Sequence, residues 1–141
     1  MAGKHGWNDL ENYLHIALRA LDSHPFVIAH TIQIEPSPEG GQISGEVFCH
    51  ENVVLRVSKY YQVRLLRGRK QARTVNYSYH ARRGDQDILR YDNVHRRRRH
   101  ASPHHKHEFL PSGERVLHVG EEWPHLSEVL DELQDMIWGT A

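Results

Sequence analysis

At 141 residues the chain has the length of one compact domain with a real hydrophobic core, and its single cysteine, Cys49, excludes an internal disulfide framework and a Cys-rich zinc finger while fitting a reducing compartment. No stretch approaches the ~20 apolar residues of a membrane helix, and the opening MAGKHGWNDL lacks the apolar run of a signal peptide, so a soluble cytoplasmic protein is expected. The formal net charge of zero hides a split: fifteen of the eighteen Lys and Arg lie between Arg56 and Lys106 against three acids, giving +12 there and −12 in the flanks, a pattern that either attracts a polyanion or merely solvates strand faces.

In chain order, Leu10, Tyr13, Leu14, Ala17, Leu18 and Leu21 recur at helical spacing, with Asn8 or Asp9 as N-cap and His24-Pro25 as the stop. His15 falls inside this helix and reads as structural. Phe26 to Ile34 reads as a β-branched strand ended by Pro36-Ser37-Pro38-Glu39-Gly40-Gly41. Ile43, Val47 and Cys49 share one side of the next strand, where Cys49 suits a small buried residue. His50-Glu51-Asn52 turns the chain, and Val53, Leu55, Val57, Tyr61, Val63 and Leu65 continue the apolar side to about Leu66, interrupted by Lys59. Arg67-Gly68-Arg69-Lys70 reverses the chain into a strand from about Ala72 to Ala81.

The stretch from Tyr77 to His107 concentrates the unusual chemistry: a hairpin, four consecutive arginines and six of the thirteen histidines. If Arg83-Gly84-Asp85 forms a three-residue loop, His80 pairs with Ile88, Ser78 with Arg90 and Asn76 with Asp92. One face then carries Asn76, Ser78, His80, Arg90 and Asp92, and the other Val75, Tyr77, Tyr79, Leu89 and Tyr91. A loop one residue shorter would pair opposite faces. Beyond Asn93, the arginines Arg96, Arg97, Arg98 and Arg99 and then His104-His105-Lys106-His107 read as basic loop, with Arg115 to Val119 as a last short strand. A final helix runs from about Leu126 to Trp138, with Leu126, Val129, Leu130, Leu133, Met136 and Ile137 on its apolar face between Pro124 and Gly139. The expected architecture is α+β in one domain: an N-terminal helix, an antiparallel sheet of about five strands and a C-terminal helix.

Tyr77-Ser78-Tyr79-His80, Arg90-Tyr91-Asp92-Asn93 and a His-bearing linker into Pro103-His104-His105-Lys106-His107 resemble the TumE family, the toxin halves of toxin–antitoxin pairs. Val94-His95-Arg96-Arg97 departs from the small residue, proline and paired histidines of the family linker, and Lys59 stands where an acid is expected. The resemblance implies growth inhibition neutralised by a cognate antitoxin, often a helix-turn-helix protein, with RNA as the target.

The residues themselves suit phosphodiester cleavage without a metal. That reaction needs a base for the 2′-hydroxyl, an acid for the leaving oxygen and a cation on the phosphorane. His80 with one of His104, His105 or His107 supplies the proton transfer, Arg90 holds phosphate, and Asp92 orients a histidine or pairs with Arg90. Arg96 to Arg99 and Lys106 would bind the RNA backbone with a salt-dependent affinity. The plainer readings are an exposed strand histidine at His80, a structural ion pair at Arg90–Asp92, solvated loop arginines, and Asn93 as a cap on its strand end. No cofactor is needed for this chemistry. The rival is a divalent transition metal such as zinc, nickel or manganese held by His95, His105 and His107, with His104, His80 or Asp92 as further donors, although the spacing fits no established zinc pattern. A third class is a basic sheet that binds nucleic acid or an antitoxin and does no chemistry, using exposed tyrosines.

Overall fold

The computed structural model describes residues 3–93 and 104–139. One antiparallel sheet dominates it. Its elements are β1 (Asn8–Asp9), α1 (Leu10–Leu18), β2 (Val27–His30), β3 (Gln33–Ser37), β4 (Gly40–Cys49), β5 (Val53–Leu66), β6 (Arg69–Arg83), β7 (Gln86–Asp92), β8 (His105–Leu110), β9 (Gly113–His118) and α2 (Leu126–Trp138). The path across the sheet is β2-β4-β5-β6-β7-β8-β9, with β3 also paired to β4 and β1 to β6. The α+β class expected from the sequence holds, and among the described residues the sheet has nine strands rather than about five.

Three differences account for the larger sheet. The single strand expected over Phe26 to Ile34 is two, β2 and β3, which pair with successive parts of β4 on either side of Thr31-Ile32. Asn8–Asp9 adds a short pair to Ala72 and Gln71. Third, His105–Leu110, expected as loop, forms β8 and turns at Pro111-Ser112 into β9. The helix α1 stops at Leu18, short of Leu21, because Ala20 takes φ 81° and breaks the periodicity before Pro25 is reached.

Turn chemistry sets the long hairpins. Leu66 pairs with Arg69 across Arg67-Gly68, where φ of 53° and 78° make the two-residue turn whose twist suits a hairpin. Glu51 and Asn52, both at φ 61°, close the turn from β4 to β5. Gly41 lies against the Tyr61 ring, and a Cβ there would come 2.3 Å from the Tyr61 hydroxyl, so the ring has its place only because residue 41 lacks a side chain.

Both helices cover the same face of the sheet. Val47, Cys49, Val53, Leu55, Val57, Tyr77, Tyr79, Ala81, Leu89 and Tyr91 point toward Leu126, Val129, Leu130 and Leu133 of α2, and Ile43, Tyr61 and Ala72 point toward Ala17, Leu14 and Tyr13 of α1. Each fully buried aliphatic side chain stabilises the fold by about 1.5–3 kcal/mol. Met136, placed on the apolar face of α2 by its spacing, is 53% exposed. The start of α2 is fixed by the His125 N–H donating to Glu128 Oε1 at 2.9 Å.

The hairpin β6–β7 corrects the expected register. Arg83 pairs with Gln86, so the loop is one residue shorter than Arg83-Gly84-Asp85, yet Ile88 is an extra residue between Arg82↔Asp87 and Ala81↔Leu89. This bulge restores the parity that the shorter loop would have reversed. His80 therefore faces Arg90, and Ser78 faces Asp92. A second bulge leaves Val75 unpaired between Tyr60↔Asn76 and Tyr61↔Thr74. Val75 is 46% exposed as a result, rather than sharing the buried side with Tyr77 and Tyr79.

Candidate functional site on the helix-free face

Residues directly paired across an antiparallel sheet project to the same side. Following the pairs from β4 to β9 yields one row, Glu46, Arg56, His80, Arg90, His107 and Val116, and beside it a second, Ser58, Ser78, Asp92, His105 and His118. Both rows lie on the side away from α1 and α2. The long-range pairing thus gathers His80, Arg90, Asp92, His105 and His107 from three strands onto one surface.

Each histidine of the first row has its own carboxylate. His80 Nε2 is 2.6 Å from Asp87 Oδ1, and Arg82 Nε is 3.1 Å from the same oxygen. His107 Nδ1 is 2.6 Å from Glu114 Oε1, and its Nε2 is 3.6 Å from Asp92 Oδ2. Arg90 stands between the two histidines. Its Nη2 lies 3.4 Å from Nδ1 and 3.3 Å from Nε2 of His107, a near-equal approach that sets the guanidinium against the ring face. Its Nε is 2.9 Å from Asp92 Oδ2, off the N–H axis, so that contact is an ion pair without a hydrogen bond. Asp92 is buried, as is His105, whose ring lies 4.8 Å from His118 and 6.2 Å from His107. A groove of about 390 Å³ beside His80 is lined by Val54, Arg56, Arg82 and Gly84 among others.

Strand alternation sends two other candidates to the opposite face. His104 is buried, with its Nδ1 2.9 Å from the Tyr77 hydroxyl, and Tyr77 stacks on Trp123 at 3.8 Å. Lys106 pairs with Glu132 of α2, whose other oxygen accepts a 2.6 Å hydrogen bond from Tyr91, and lies 3.2 Å from Glu108. Those two carboxylates hold the Lys106 pKa up in spite of burial, while burial pushes the Tyr77 and Tyr91 hydroxyls well up. Asn93 caps its strand end: its Oδ1 accepts the Tyr77 N–H at 2.9 Å and its Nδ2 donates to the Val75 carbonyl at 2.8 Å.

Arg96, Arg97, Arg98, Arg99 and His95 lie outside the described residues. Among the described residues, no group of three or more His, Cys, Asp or Glu side chains is arranged to hold a metal ion. Sequence reasoning missed Asp87, Glu114, Arg56, Arg82 and His118. Asp87 comes to His80 through the two-residue loop, which pairs it with Arg82, two residues from His80 on the same side. Glu114 had a legible signal in Pro111-Ser112, a two-residue turn before Gly113 that brings Glu114 opposite Phe109 and within reach of His107.

No helix is long and apolar enough to cross a membrane among the described residues. No curated protein and no solved structure matches the chain. The family model described as Toxin TumE matches residues 17–137, which takes in the whole row of paired histidines and all of α2 but Trp138. The chain belongs to the TumE toxin family.

Proposed function

We propose that this toxin cleaves RNA without a metal, on the helix-free face, with His80 and His107 as the proton-transfer pair and Arg90 as the phosphate holder. The observation that carries the reading is the row itself: a guanidinium flanked on neighbouring strands by two imidazoles, each with a carboxylate at 2.6 Å. Strands lie ~4.8 Å apart, so the two histidine positions are separated by roughly 10 Å of backbone, enough for a phosphodiester to sit over Arg90 with one imidazole on either side. One imidazole takes the 2′-hydroxyl proton, and the oxygen so freed attacks phosphorus. The other donates a proton to the departing 5′-oxygen, leaving a 2′,3′-cyclic phosphate. Arg90 meets the charge that builds on the non-bridging oxygens. Asp87 and Glu114 hold the two rings in orientation.

Asp92 holds Arg90 and touches His107, so it acts through both, and His105 lies in the row next to them. Arg56 and Arg82 offer flanking phosphates a cationic groove, and Arg96 to Arg99 extend that role. His104 and Lys106, on the other face, support the scaffold in this reading. RNA as substrate fits action in the cytoplasm, and the cognate antitoxin that a TumE toxin implies is proposed to be a helix-turn-helix protein that covers this face.

The test is incubation of purified protein with a long structured RNA, with and without EDTA, beside His80→Ala and His107→Ala. Expected are cleavage that survives EDTA, cyclic-phosphate ends, and a fall of about 10²–10⁴-fold in each variant while RNA binding persists. Cleavage abolished by EDTA, or undiminished in both variants, would overturn the assignment.

A further inference from the structure

Lys59, the residue that interrupts the apolar side of β5, lies on the face beneath the helices and takes no part in the row of histidines. It is 4% exposed. Its Nζ stands 5.4 Å from the centroid of the Tyr79 ring and 5.7 Å from that of Trp123, and among the described residues it has no carboxylate partner and no hydrogen bond. Burial alone lowers its pKa from 10.5 to about 8, with no counter-charge to oppose the shift. A buried ammonium without a counter-ion is costly and uncommon. The neighbouring Tyr79 hydroxyl is also buried and has no hydrogen-bond partner among the described residues, a second polar group that calls for a water or an ion.

Lys59 lines a cavity shared by the N-terminal segment, α1 and the start of α2, with His5, Asn8, Tyr13, Thr74 and His125 in its wall. The cavity offers about 30 Å³ to the centre of a water-sized sphere, where one water needs ~10–15 Å³. Every other charged group at its rim is committed. Lys4 is paired with Glu128 at 2.7 Å and donates to the Glu122 carbonyl at 3.3 Å. Glu128 also accepts the His125 N–H. His5 stacks on Trp123 at 3.4 Å with its Nε2 2.6 Å from the Trp123 carbonyl, and burial holds it neutral with a pKa of about 3. Tyr13 and Thr74 share a 2.7 Å hydrogen bond. The wall thus combines one unbalanced cation with hydroxyl and amide groups able to donate.

We propose that this cavity is a binding site for a small carboxylate-type oxyanion, with Lys59 as its counter-charge and the Asn8 and Thr74 side chains as polar wall. The size suits formate, acetate or bicarbonate and is too small for a nucleotide. The site is separate from the RNA reading, since it lies on the other face of the sheet and engages none of the residues assigned there.

Thermal unfolding of the full chain in sodium acetate and in sodium chloride at matched ionic strength and pH tests it, with Lys59→Met and Lys59→Gln beside the wild type. Lys59→Met removes a buried charge and keeps the volume, so it folds. Acetate at tenfold its Kd should raise the wild-type Tm by about 3–6 °C over chloride, and both variants should lose that difference. Titration calorimetry with acetate should give saturable heat for the wild type and none for Lys59→Met. No preference for acetate over chloride, or an equal preference in the folded variants, would overturn the site.

Discussion

In the proposed reaction, the carboxylates behind the histidines are what would separate a proton-transfer pair from two surface imidazoles. Asp87→Asn and Glu114→Gln retain shape but remove the carboxylate that holds each ring, so each should lower cleavage by about 10–100-fold. Undiminished cleavage in both variants would assign those carboxylates to strand pairing alone. His5 bears on stability instead. Its folded pKa of about 3 lies below the ordinary 6.5, so the unfolded chain binds the extra proton between those values. The stability it contributes is complete above pH 6.5 and drains away as the pH falls toward 3. His5→Phe keeps the stack on Trp123 and removes the titration, so chemical denaturation at pH 4.5 should show a smaller loss relative to pH 7 than the wild type does. Lys59 works in the same direction at the alkaline end: its depressed pKa makes stability rise from about pH 8 upward.

At the scale of elements, a single inserted residue decides whether the site exists. The two-residue loop at Gly84-Asp85 would turn Arg90 and Asp92 toward the core and Leu89 and Tyr91 toward solvent, and Ile88 undoes that reversal. Deleting Ile88 should either flip those four side chains or force the loop to reopen. The expected result is a loss of about 3 kcal/mol or more in stability, read from denaturant midpoints, along with the loss of cleavage. Much of the fold was legible: α2 runs over the residues its spacing marked, and the alternation of Val53, Leu55 and Val57 reported the buried side of β5. The grouping of His80, Arg90 and Asp92 was legible too, because side-chain parity survives a register error of two. Less could be read where structure depends on partners distant in sequence. His105 to Leu110 has few strand-forming residues and becomes β8 because β7 offers it an edge, and the bulges at Val75 and Ile88 leave no mark in composition.

For the molecule as a whole, the zero net charge is a sum of unlike parts. The acids after His107 go largely to internal partners: Glu132 to Lys106 and Tyr91, Glu108 to Arg115, Glu114 to His107, and Glu128 to Lys4. The bases of the middle stretch are left facing outward on the open side, at Arg56 and Arg82, and at the far hairpin, where Arg64 and Arg73 hold the Trp7 ring at 4.2 and 4.5 Å. RNA affinity should therefore fall steeply with salt despite the neutral total. Replacing Arg96 to Arg99 by glutamine should flatten the log–log salt slope by up to about 2–3, at roughly −0.7 per single-strand phosphate contact, measured by fluorescence anisotropy. An unchanged slope would remove those arginines from the interface.

Among the described residues the nine strands do not close on themselves, and β9 ends the sheet with six exposed residues, Val116 and Leu117 among them. A terminal strand of this kind is a template: its outward N–H and C=O groups can take on another extended chain in register, whatever that chain is. Glu114 and Arg115 are the charged residues on it that resist sheet growth. The same edge lies beside His107, so a strand laid along it would shadow the candidate site, and solubility and inhibition become two outcomes of one border.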